Sequence, residues 1–119
     1  MIEKTDIEAA LAECGITYAE PSFAPRKPPE QPYAVIRDRY SFDGSDYHVG
    51  MIGHDTSVYL YDGGGKAGAD IRWSLACALA KRGIKFVQYP GDYDYDLKLF
   101  SSEYEIQETY YEKWSDDYV

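Results

Sequence analysis

SVYLYDGGGKAGADIRWSLACALAKRGIKFVQY, residues 57–89, reads as strand, glycine loop, helix, strand. Val58 and Leu60 point to one side of an extended segment, Tyr59 and Tyr61 to the other, the period of two that a pleated strand requires. Asp62-Gly63-Gly64-Gly65 ends that strand. From Asp70 the period changes: Ile71, Leu75, Ala78 and Leu79 fall on one helical face, and Ala76 and Ala80 keep the helix slim enough to lie close on a sheet. An acid at its start and Lys81-Arg82 at its end suit the helix dipole, and Gly83 can turn left-handed past the last turn, so a helix is expected over 70–82. Ile84 and Phe86 against Lys85, Val87 and Tyr89 restart the alternation at once. A helix with one apolar face needs a sheet beneath it.

Working outward, 119 residues are read as one domain, long enough to bury a single core without staples. Twelve basic residues stand against 21 acidic ones, a net charge of -9, which argues against a free nucleic-acid reader with a basic face. No apolar run has the length of a membrane span and no secretory segment is seen, so a cytoplasmic setting is expected. Cys14 and Cys77 fall among alanines and leucines on predicted helices and are read as two small buried thiols. Tyrosine is abundant, 13 residues beside two Trp and four Phe. These rings serve either to cover the open face of a sheet or to be buried against a partner.

On the N-terminal side, Thr5-Asp6-Ile7-Glu8 has the form of a capping box, opening a helix over 5–14 with Ile7, Ala10, Leu11 and Cys14 as its stripe and Gly15 as its terminator. Ile16 to Ala19 is a brief strand. Five of the six prolines lie between Pro21 and Pro32, so residues 20–32 are expected to form an extended arm. Tyr33 to Tyr40 alternates as a strand, and Ser41 to Asp46 carries an Asp-Gly hairpin turn. A long strand from Tyr47 to Tyr61 follows, with Gly50 and Gly53 as places for a bulge. Beyond the second helix, Pro90 to Asp96 reads as an acidic loop and Tyr104 to Trp114 as the last strand. The core thus spans 33–114 and residues 115–119 form an acidic tail. The fold class is α+β, a twisted, mostly antiparallel sheet of four to five strands with two helices.

The chemical motifs are sparse. Gly63-Gly64-Gly65-Lys66 before a helix invites comparison with a phosphate cradle, but no Gly-Lys-Ser/Thr follows and Asp62 and Asp70 flank the loop with the wrong charge. His48 and His54 on one strand lie about 20 Å apart at ~3.3 Å per residue, too far to share an ion with Asp46 or Asp55, and are read as ordinary surface histidines. Asp92, Asp94 and Asp96 match only the first half of a calcium loop. No serine or cysteine stands in a nucleophile context and no glutamate pair demands a catalytic role. The residues therefore point to a non-enzyme, with no catalytic residue, cofactor or metal assigned.

Several of these segments together resemble a family. The acidic N-terminal helix, the approach to Pro32-Tyr33, the hairpin from Tyr40 to Tyr47, the strand ending Val58-Tyr59-Leu60-Tyr61, the helix running into Gly83-Ile84-Lys85-Phe86 and the closing segment Glu103 to Tyr111 are similar to the small tail-terminator, or tail-completion, proteins of long-tailed bacteriophages and prophages. The glycine loop at 63–65 and the acidic loop after Pro90 depart from that pattern. The resemblance implies an α+β structural protein that forms a ring, typically of six, caps the tail tube and meets the head-tail connector, a virion component assembled in the host cytoplasm. Such a ring lets DNA pass without specific binding, and an acidic lining would let the duplex slide. Asp43, Asp46, Asp92, Asp94 and Asp96 are the candidates for that lining, and Tyr40, Phe42, Tyr93 and Tyr95 for contacts between subunits or with tail and connector. An alternative reading of the same charge and of Asp92-Tyr93-Asp94-Tyr95-Asp96 is a small acidic inhibitor or nucleic-acid mimic that binds a basic partner. A third, a nucleotide-binding enzyme, rests on the glycine loop alone.

Overall fold

The computed structural model describes residues 4–19, 29–44, 49–107 and 110–115, with side chains described over 4–19, 29–39 and 53–107. The elements run α1 (Lys4–Glu13), β1 (Thr17–Ala19), β2 (Tyr33–Gly44), β3 (Val49–Asp62), α2 (Gly65–Lys81), β4 (Phe86–Asp94), β5 (Leu99–Ile106) and β6 (Tyr110–Ser115). This is an α+β fold with two helices and a mixed sheet. The strand order is β1-β2-β3-β5-β4, with β6 pairing to β3 as well. Among the described strands only β1 runs parallel to its neighbour; the other pairings are antiparallel.

Both helices end in the same way, and the reason is written in Cys14-Gly15-Ile16 and Arg82-Gly83-Ile84. Gly15 and Gly83 take positive φ, 69° and 74°, the left-handed conformation that glycine adopts without a Cβ clash. The Ile16 amide then reaches the Leu11 carbonyl and the Gly15 amide that of Ala12, both at 3.0 Å. Ile84 repeats this to Leu79 at 3.1 Å and Gly83 to Ala80 at 2.9 Å. This is the double-bonded glycine cap, whose apolar contact between the residue after glycine and the last turn closes the end of the helix. Ile16, Leu11, Ile84 and Leu79 are all buried in one core.

That core lies on one face of the sheet. Ala34 and Ile36 of β2, Val58 and Leu60 of β3 and Tyr104 and Ile106 of β5 meet Ile7, Ala10 and Leu11 of α1 and Leu75, Ala78 and Leu79 of α2. Removing a Leu or Ile side chain of this size from water is worth roughly 1.5–3 kcal/mol. The alternate residues of the same strands form the second face, against which neither helix packs: Val35, Ser57, Tyr59, Tyr61, Glu103 and Glu105 are half-buried, and Arg37, Val87 and Tyr89 are exposed.

Several expectations change in detail. The helix expected over 5–14 begins at Lys4, so Thr5 lies within it and is not its N-cap. The second helix begins at Gly65 rather than Asp70, and its first turn holds no acid. The small residues between Gly65 and Ala69 carry no hydrophobic period, yet Gly68 is buried. β2 continues to Gly44 in unbroken register with β3, from Tyr33 opposite Tyr61 to Gly44 opposite Gly50, so Gly50 and Gly53 make no bulge there. The irregularity falls on the other flank of β3. Three steps from Ser57 to His54 face five steps from Glu105 to Tyr110, which breaks the expected final strand into β5 and β6. The acidic loop expected from Pro90 is strand as far as Asp94, with a register shift between Pro90 and Tyr93. An edge strand tolerates both proline and bulge because one row of its backbone groups has no ladder partner. Cys14 is half-buried and Cys77 exposed, since Cys77 lies out of phase with Leu75, Ala78 and Leu79. Most of the arm, residues 20–28, and the tail, 116–119, lie outside the described residues.

Candidate interaction surface

The turn joining β4 to β5 is built by one carboxylate. Asp94 Oδ1 accepts the backbone amides of Asp96 at 2.9 Å and Leu97 at 3.0 Å, a side-chain turn that lets the chain reverse over 95–98. Asp94 is thus a turn former, whereas the carboxylates of Asp92 and Asp96 stand exposed. The reversal leaves two large side chains in solvent, Tyr95 at 83% and Leu97 at 67% exposed. Tyr93, half-buried, meets the Tyr95 ring edge-on with centroids 5.0 Å apart. Its other side lies on the glycine loop, where a Cβ on Gly64 would come within 2.9 Å of the ring. Gly64 is favoured here by the tyrosine and by its own positive φ of 75°, and Gly65 by a φ of 66°.

Behind the loop sits a fully buried carboxylate, Asp62. Its Oδ1 accepts the Gly64 amide at 2.7 Å, and its Oδ2 lies 3.4 Å from Arg72 Nε. A Cβ on Gly68 would fall 2.2 Å from Asp62 Oδ1, so only glycine lets the first turns of α2 settle over this group. A phosphate at a helix N-terminus draws on free loop amides. Here the Gly64 amide already serves the chain's own carboxylate, whose charge opposes an anionic ligand. The same Arg72 places its guanidinium 4.0 Å from the Phe100 ring centroid and donates from Nε to the Gly68 carbonyl at 3.2 Å. Its own carbonyl accepts the Tyr104 hydroxyl at 2.9 Å, and that hydroxyl accepts the Gln88 amide at 3.0 Å. Burial pushes the Tyr104 phenol well above the usual tyrosine range.

No family model and no curated protein matches the chain.

Of the contact residues expected from sequence, Tyr93 and Tyr95 come together at the β4–β5 turn. Tyr40, Phe42 and Asp43 are placed on β2, opposite His54, Ile52 and Met51, and belong to strand rather than to a turn. Their side chains lie outside the described ones, and Asp46 and His48 lie outside the described residues altogether. Asp43 and Asp92 are on different hairpins, so the expected acids do not form one group among the described residues. His54 is not an ordinary surface histidine: its Nδ1 lies 2.6 Å from Asp38 Oδ2, and both side chains are largely buried. They meet because the register sets Asp38 diagonally across from His54, on the face that Thr56 shares. A hairpin symmetric about Asp43-Gly44 would set Asp38 opposite Val49, whereas the observed register sets it opposite Thr56, so the Asp-Gly turn did not reveal this pair.

Two further features were not read from sequence. Trp73 is 72% exposed on α2, out of phase with Ile71 and Leu75. Between α1 and α2 runs an open groove of about 570 Å³ with Cys14 and Cys77 on its walls. At its end Glu13 accepts Lys81 Nζ at 2.9 Å and an Arg82 guanidinium nitrogen at 3.1 Å, which holds its carboxyl below the usual range. Burial, followed by the charge of Glu13, pushes the Cys14 thiol up. Among the described residues no group of three or more His, Cys, Asp or Glu side chains could hold a metal ion, and no helix is long and apolar enough to cross a membrane.

Proposed function

We propose that the chain is a structural protein of a long-tailed bacteriophage or prophage, a tail terminator or head-tail joining component that caps the tail tube and meets the head connector as a ring of copies. The observation that carries the reading is the distribution of large side chains. One face of the sheet is closed by two helices, while Tyr95, Leu97 and Trp73 stand in solvent and neither α1 nor α2 packs on the tyrosine-bearing second face. Rigid exposed aromatics on a closed scaffold suit burial against other proteins. The net charge of -9, with Asp92 and Asp96 exposed beside Tyr93 and Tyr95, suits a surface past which DNA slides.

The reading is tested by adding the purified chain to polymerised tail-tube protein and imaging the tubes by electron microscopy. Density capping tube ends, with tubes that stop elongating, is the expected result. Tubes that grow unchanged, together with tight capture of the chain by a basic protein, would favour the acidic inhibitor instead. Tyr95→Ser with Leu97→Ser is expected to lower capping at least tenfold while leaving the melting temperature within a few degrees, because both side chains are solvated before binding.

A further inference from the structure

The second face of the sheet carries its charges in a fixed order. Reading across the register, Arg37 of β2, Ser57 of β3, Glu105 of β5 and Val87 of β4 form one row. The adjoining row is Val35, Tyr59, Glu103 and Tyr89. Side-chain contacts bind the two rows into one surface: Arg37 Cζ lies 5.9 Å from the Tyr59 ring centroid, and Ser57 donates to Glu103 Oε2 at 3.0 Å. Arg37 and Arg39 therefore stand on one flank of β3 and Glu103 and Glu105 on the other, two strand spacings or about 9.6 Å apart, while Asp55 of β3 lies directly opposite Arg39. Among the described residues Arg37 has no carboxylate within ion-pair distance, and Glu105 accepts only the Gln107 side-chain amide, at 2.8 Å.

We propose that this face binds a second copy of the chain, related by a two-fold axis that runs along β3 between the two sheets. Rotation about that axis exchanges the left and right neighbours of β3 and keeps every row at its own height. β2 of each copy then lies over β5 of the other. Arg37 meets Glu105 of the second copy, the same contact recurs by symmetry, and Ser57 and Tyr59 meet their own equivalents at the centre. Face-to-face sheets stand about 10 Å apart, a gap that an arginine and a glutamate span together, and their usual ~30° offset leaves the central rows aligned. A contact of this kind is self-complementary, as a two-fold interface must be.

The charge order also selects the occupant. A basic partner suited to Glu103 and Glu105 would be repelled by Arg37 and Arg39, and an acidic one by the glutamates. A surface with the opposite order is required, and the face supplies it when turned over on itself. The surrounding tyrosines and valines give this contact an apolar centre. The inference goes beyond the tail-terminator reading and does not depend on it.

Sedimentation velocity of the full chain over a concentration series tests it. A monomer–dimer equilibrium is expected, with Arg37→Glu and Glu105→Arg each weakening the dimer at least tenfold. An equimolar mixture of the two variants should restore it, because each altered residue then faces its opposite. Circular dichroism of each variant confirms that it remains folded. A chain that is monomeric throughout, variants that dimerise like the parent, or a mixture that fails to associate would each overturn the proposal. Loss of tube capping with the dimer intact would count only against the tail-terminator reading.

Discussion

Tyr59 and Leu60 are neighbours on β3, yet they live in different environments. Leu60 is fully buried among side chains of both helices, while Tyr59 is half-buried on the face away from α1 and α2, beneath the Arg37 guanidinium. The alternation of a strand produces this division without any further device. Its consequence is that stability and recognition are written in alternate letters of the same segments. The covered face holds apolar side chains and a few buried polar ones, Asp62, Ser102 and Thr56. The other holds arginine, serine, glutamate and tyrosine in rows.

The largest effect is expected from cutting into the covered face. Leu60→Ala is expected to cost about 2–5 kcal/mol, through lost burial and the cavity left behind. In a domain of this length that lowers the melting temperature by roughly 10 °C or more, read by calorimetry. Gly68→Ala comes next. The new Cβ must displace the Asp62 carboxylate, and overpacking of this kind costs roughly 1–3 kcal/mol. Chemical denaturation with an unchanged m-value would locate the loss in the native packing.

Tyr104→Phe follows, at roughly 1–2 kcal/mol, because the Arg72 carbonyl and the Gln88 amide each lose a partner. This residue also sets a pH dependence. Its folded pKa is raised above the unfolded value of about 10, so the native state keeps a proton that the unfolded chain releases. Stability is unaffected below about pH 10 and falls as pH rises beyond it, and the phenylalanine variant should show a shallower alkaline decline. The smallest effect is expected at the exposed bridge between the helices. The Glu13 carboxyl is lowered by Lys81 and Arg82, so its contribution is present above the unfolded pKa of about 4.3 and is lost as pH falls through the folded value. Glu13→Gln should change the acid limb of the stability profile slightly and leave neutral pH nearly untouched.

Much of this was legible in the sequence where side chains repeat with a period. Val58 to Tyr61 and Leu75 to Leu79 announced strand and helix, and Gly15 and Gly83 announced where the helices stop. What was hidden depended on residues without a period or on pairing at a distance. The opening of α2 is written in glycine, alanine and Lys66, which carry no hydrophobic period, and Gly68 there settles over the Asp62 carboxylate. Pro90 to Asp94 has the composition of a turn, yet an edge strand accommodates it. The Asp38–His54 pair and the row from Arg37 to Glu105 exist only once the register is known, since each joins residues far apart in the chain. For the candidate surface, Tyr93 and Tyr95 were named from their acidic setting and lie ring to ring at the β4–β5 turn, whereas Leu97 and Trp73 are exposed against the usual preference of their types.

The division between the faces is tested most directly by melting Leu60→Ala and Tyr59→Ser side by side and sedimenting both. The account predicts a large loss of melting temperature for Leu60→Ala and a change of only a few degrees for Tyr59→Ser, with weakened self-association confined to the second variant. Equal destabilisation by the two substitutions would contradict it, because the second face would then be part of the core.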